Sequence, residues 1–71
     1  MPEIFFEMRY IGNVVRVTAI DATTGIEVIT VGDANRTTEA LKRVAARKLQ
    51  YVLERQAEER ARKARDGDKI A

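Results

Sequence analysis

Cysteine, histidine, serine and tryptophan are all missing from these 71 residues, and there is one proline. Without cysteine there is no disulfide, no thiolate nucleophile and no Cys-ligated zinc. Without histidine the chain loses the commonest general base and the commonest metal ligand. Glycine is sparse: Gly12, Gly25 and Gly32 stand alone, each at a turn or strand end, so no glycine loop cradles a phosphate. No apolar run approaches the roughly 18 residues that span a bilayer. The opening MPEIFFE has no basic region ahead of an apolar one, so no signal peptide is expected. These absences point to a cytoplasmic setting.

What remains is one small domain. A core of this size is marginal, and small domains lean on disulfides, a metal or oligomerisation. The first two lack their usual residues here, which leaves self-association. Thirteen basic side chains against eleven acidic ones give a net charge of +2. So small an excess describes a solvated surface of mixed sign better than a nucleic-acid footprint.

Apolar side chains recur with period 2 in the first half and period 3.6 in the second, switching near residues 32–37. Residues 3–11 place Ile4, Phe6, Met8 and Tyr10 on one face, with Phe5, Glu7, Arg9 and Ile11 on the other. Gly12-Asn13 reads as a two-residue type II′ hairpin loop, in which glycine accepts a positive φ. That loop sets Ile11 opposite Val14, Tyr10 opposite Val15, Met8 opposite Val17 and Phe6 opposite Ala19. The apolar sets of the two strands then share a face. In DATTG (21–25), Asp21 is expected to accept backbone N–H groups and Gly25 to close the turn. The third strand, IEVITV (26–31), sets Ile26 and Val28 against Ile29 and Val31. A three-residue and a four-residue loop before it give opposite facings.

Thr37 or Asn35 is placed to cap a helix, with Glu39 in its first turn. Leu41, Val44, Ala45, Leu49, Val52 and Leu53 form its apolar stripe, expected to cover the face of Phe6, Met8, Tyr10, Val15, Val17 and Ala19. The Lys48 stem is expected along the core edge, with Tyr51 at the helix–sheet seam or in a subunit contact. Residues 57–71 carry no aliphatic larger than alanine before Ile70, but hold pairs such as Glu58–Arg62 and Glu59–Lys63. They read as a solvated overhang with a stop at Gly67 and a disordered tail. The fold expected is α+β: a three-stranded antiparallel meander, β-β-β-α, with one long C-terminal helix on one face. The domain is set at residues 3–56.

No constellation for catalysis emerges. The acids divide into turn residues (Asp21), helix-start residues (Glu39) and surface pairs, and Glu7 is matched with Arg16 across the hairpin. No enzyme, cofactor or metal is expected. The other side of the sheet is more informative. It shows Phe5, Ile11, Val14 and Ile20 with two aliphatics of the third strand, diluted by Glu7, Arg9, Arg16 and Thr18. Burying five such side chains is worth roughly 7–15 kcal/mol before association entropy is charged against it. One helix covers one face, so the second face is expected to meet another subunit.

Two resemblances accompany these residues. Three meander strands followed by TTEALKRVAARKLQYVL resemble the back half of a double-stranded-RNA-binding domain, in pattern, over residues 5–53. That family opens the helix with phosphate-gripping lysines, where this chain has Thr37-Thr38, and it adds a first helix that is missing here. So its functional residues do not carry over. The chain is also similar to short alphaproteobacterial proteins that form a domain family of unknown function. The likeness lies in Ile20, Asp21, Thr24 and Gly25 of the turn, and in Ala45, Arg47, Lys48, Leu49, Tyr51, Val52 and Leu53 of the helix. It implies the same βββα fold and no assigned activity.

The function expected is a non-enzymatic interaction module that forms a homodimer or higher homo-oligomer through Phe5, Ile11, Val14 and Ile20, or through an exposed edge strand. The alternative is a nucleic-acid-binding module using Lys42, Arg43, Arg47 and Arg55 on the helix. A third is docking of residues 57–65 onto a larger protein.

Overall fold

The computed structural model describes residues 3–70. Three strands, β1 (Ile4–Ile11), β2 (Val14–Asp21) and β3 (Glu27–Asp33), precede one helix, α1 (Thr38–Ile70). The sheet is antiparallel and open, in the order β1-β2-β3. This is the α+β arrangement the periodicities predict.

The first hairpin has the expected register, with Ile11 opposite Val14, Tyr10 opposite Val15, Met8 opposite Val17 and Phe6 opposite Ala19. Gly12 takes φ +58°, and no residue other than glycine has a positive φ among those described. That pattern fits the type II′ turn rather than type I′, which needs two positive φ values.

The second turn is a four-residue loop. Asp21 N–H donates to the Ile26 carbonyl at 2.9 Å, leaving 22–25 outside the ladder. Asp21 itself is buried, and its Oδ2 accepts from Thr24 N–H at 2.9 Å and from the Thr24 hydroxyl at 2.7 Å. Gly25 closes the loop at φ +75°. The loop length decides the facing of β3: Val28 joins Ala19, Thr30 joins Val17 and Gly32 joins Val15 on the helix side. Ile29 and Val31 lie on the opposite face.

Thr37 occupies the N-cap position of α1, its carbonyl accepting from Leu41 N–H at 3.5 Å. Asn35 belongs to the preceding turn, where its N–H donates to Asp33 Oδ1 at 2.9 Å. Leu41, Ala45 and Leu49, four residues apart, are buried against Val15, Val17 and Ala19. Ile4, Ile26, Val28 and Leu53 pack around that cluster half-buried.

Coverage of the helix-side face departs from expectation. α1 packs on β2 and β3 and leaves β1 largely open. Phe6, Met8 and Tyr10 remain 36%, 39% and 58% exposed, and Val44 of the stripe is exposed as well. The cause is width and anchoring. A helix is about 10 Å across, whereas three strands at about 4.8 Å spacing present a broader floor. Gly32 fixes which part is covered, because the Leu41 side chain fills the space where a Cβ at position 32 would stand.

Beyond Leu53 every described side chain of α1 is exposed up to Asp66. The helix passes through Gly67 to Ile70 rather than stopping there. At 1.5 Å per residue its 33 residues extend about 50 Å, against roughly 27 Å for an eight-residue strand. The tail expected to be disordered beyond Gly67 is helix up to Ile70, and its last residue lies outside the described residues.

Candidate interaction surface

β1 has three unusual properties, each traceable to its position in the hairpin. Its outward side chains on the uncovered sheet face, Phe5 and Ile11, are 54% and 59% exposed. Its side chains on the helix side, Phe6, Met8 and Tyr10, are exposed for the reason just given. Its outer backbone edge is open.

The direction of that edge follows from the ladder. A two-residue hairpin closes on a hydrogen-bonded pair, here Ile11 and Val14, and bonded pairs then alternate along the ribbon. So the odd residues of β1 point their N–H and C=O groups at β2. Ala22 N–H donating to the Glu3 carbonyl at 3.0 Å continues the same odd series. Phe6, Met8 and Tyr10 therefore present their backbone groups outward. Among the described residues, no turn, cap or side-chain hydrogen bond reaches them.

The opposite edge differs. The odd residues of β3 face outward there, and Lys48 Nζ donates to the Ile29 carbonyl at 3.0 Å. A lysine over an edge strand discourages another strand from adding to it. The ammonium of Lys48 thus lies at the rim as expected, with a definite partner there. Periodicity gave no sign of that partner.

Of the residues expected to self-associate, Phe5, Ile11 and Val14 are exposed on the uncovered face, while Ile20 beside them is half-buried. Ile29 and Val31 extend the apolar surface across β3, at 37% and 61% exposure. The expected Glu7–Arg16 ion pair is not formed. Arg9 stands directly opposite Arg16 and Glu7 opposite Thr18, so Glu7 and Arg16 are only diagonal neighbours. Like charges facing each other across a ladder are unfavourable.

The basic residues of α1 do not form one surface. Lys42 leans toward β1, its Nζ 5.7 Å from the centre of the Phe6 ring and 3.7 Å from Glu39. Arg43 and Arg47, one turn apart, are exposed on the solvent side. Arg55 donates to the Tyr51 hydroxyl at 3.4 Å, which raises its already high pKa. Tyr51 is 59% exposed and pairs with Arg55 rather than capping the seam. Neither Glu58–Arg62 nor Glu59–Lys63 closes to an ion pair, the usual outcome for fully solvated side chains.

The depressions of the surface are shallow and open. One lies between the 21–26 turn and α1, lined by Thr23, Leu53 and Arg60 among others. No group of three or more acidic side chains close enough to hold a metal ion occurs among the described residues, and no helix is long and apolar enough to cross a membrane.

The architecture defines a β-β-β-α domain with an open sheet, one capped edge and one bare edge. The chain belongs to the family described as a domain of unknown function (DUF6898), which covers residues 1–56. No curated protein and no solved structure matches it.

Proposed function

We propose that this domain is a non-enzymatic interaction module that associates with further copies of itself. One observation carries the reading: β1 bears apolar side chains on both faces, and all of them but Ile4 are left exposed. Scattered exposed aliphatics are ordinary, but here Phe5, Phe6, Met8, Tyr10 and Ile11 crowd one eight-residue strand. A bare, apolar edge strand is a template for another strand unless something blunts it. Here the blunting lysine sits at the other edge. On the sequence likeness to alphaproteobacterial proteins, the proposal places the module in the bacterial cytoplasm.

Sedimentation velocity of the full chain through a dilution series tests it. The expected result is a species at a multiple of 8.0 kDa that dissociates on dilution. A single 8.0 kDa species at high micromolar concentration overturns the reading.

Nucleic-acid binding is the competing reading. Its support is the adjacent, exposed Arg43 and Arg47; against it, Lys42 and Arg55 already have partners within the chain. RNA or DNA binding that weakens steeply with salt and is lost in R43A/R47A would favour it.

A further inference from the structure

The geometry points to a specific mode of self-association: β1 pairs antiparallel with β1 of a second copy about a two-fold axis at Met8, giving one six-stranded sheet. This rests on the self-association reading above and adds its occupant, strand and register.

Parity limits the choices. Antiparallel partners must both turn their backbone groups toward each other at bonded positions, and in β1 those positions are Phe6, Met8 and Tyr10. Even residues therefore pair with even and odd with odd, which puts the two-fold axis at a residue position rather than between two residues. Placing it at Glu7 sets Glu7 against Glu7 of the second copy. Placing it at Arg9 sets two arginines together, beside the Arg16 that already opposes Arg9. Like charges directly opposite disfavour both registers.

The axis at Met8 removes the conflict. Glu7 then faces Arg9 of the second copy, and by symmetry Arg9 faces the other Glu7, giving two opposite-charge pairs. Each Arg9 thereby gains a carboxylate on the side away from Arg16. Phe5 faces Ile11 of the second copy on the same sheet face. On the helix side Phe6 faces Tyr10, and the two Met8 side chains meet at the axis. The segment FFEMRYI (5–11) is thus a physical palindrome: aromatic or aliphatic at both ends, acid against base inside, and methionine at the centre.

The other edge is consistent with this choice. Lys48 holds the outward carbonyl of Ile29, so β3 is guarded and the assembly closes at two copies instead of growing into a ribbon.

Single cysteines provide the test, since the chain has none of its own. In a non-bonded antiparallel pair, which Glu7 and Arg9 of the second copy form in this register, the Cα atoms lie about 4.5 Å apart, within the span a disulfide bridges, and the Cβ atoms are close enough for one. Residues 7 and 7, or 9 and 9, would be offset by two positions and roughly 8 Å apart, beyond that span. Under mild oxidation an equimolar mixture of Glu7→Cys and Arg9→Cys should couple into a mixed covalent dimer, while either variant alone stays mostly uncoupled. Without oxidant, E7R should weaken dimerisation about tenfold and E7R/R9E should restore it, because the charges are then exchanged and not removed. Circular dichroism on each variant separates unfolding from dissociation. Faster coupling of Glu7→Cys alone or Arg9→Cys alone, or association that ignores both charge variants, overturns the register while self-association stands. A chain that is monomeric throughout overturns both.

Discussion

Leu41 occupies the space that a side chain at position 32 would need, so Gly32 and Leu41 together decide which strands the helix covers. Replacing Gly32 with alanine should push Leu41 aside and cost about 1–3 kcal/mol, as overpacking of a small core does. The test is a double-mutant cycle by urea denaturation. G32A and L41A together should cost less than the sum of the two single changes, by about 1 kcal/mol. Additive losses would mean the two positions do not set the helix position jointly.

Asp21 is the second fixed point. It is buried at the end of β2, and its carboxylate holds both the N–H and the hydroxyl of Thr24. Asp21→Ala should cost about 2 kcal/mol, or a fall in Tm on the order of 8–16 °C for a domain of this size. Thr24→Val removes the hydroxyl but keeps the backbone donor, so its loss should be smaller. Thermal scans of the two variants give the order directly.

Lys48 guards β3. Its bond to Ile29 is exposed, so Lys48→Ala should change stability by less than about 1 kcal/mol. Its effect should appear in assembly. With the β3 edge bare, light scattering should show species larger than the wild-type assembly, rising with concentration. An unchanged mass distribution would show that the lysine is not what keeps this edge unpaired.

Removing residues 57–71 should leave the fold intact. Every described side chain from Ala57 to Asp66 is exposed, and the family match ends at residue 56. The truncated chain should keep its Tm to within about 5 °C, the shift expected from 1 kcal/mol or less. It should also self-associate like the full chain. Loss of association on truncation would move the interface from the sheet to the overhanging helix.

The strand order, the first register and the helix were legible in the sequence because each rests on a local rule. Gly12 and the matching faces of residues 4–11 and 14–20 fix the hairpin, and the spacing of Leu41, Ala45 and Leu49 fixes the helix. The facing of β3 was not legible, since one residue more or less in the 21–26 turn reverses it. The width of the covered floor was missed for a different reason. Period 2 tells which face a side chain lies on, not which strands a narrow helix reaches. A signal was present in Gly32, because a glycine inside a strand often marks a close approach. The partner of Lys48 depends on a contact 19 residues away, which no local pattern encodes.

Amide hydrogen exchange along β1, measured residue by residue at a concentration where the chain is associated, tests the central claim most directly. The account predicts that Phe6, Met8 and Tyr10, whose amides point away from β2, exchange as slowly as Glu7 and Arg9, and that dilution releases only the even set. Fast exchange at Phe6, Met8 and Tyr10 beside protected Glu7 and Arg9, in the associated state, would show a bare edge and contradict it.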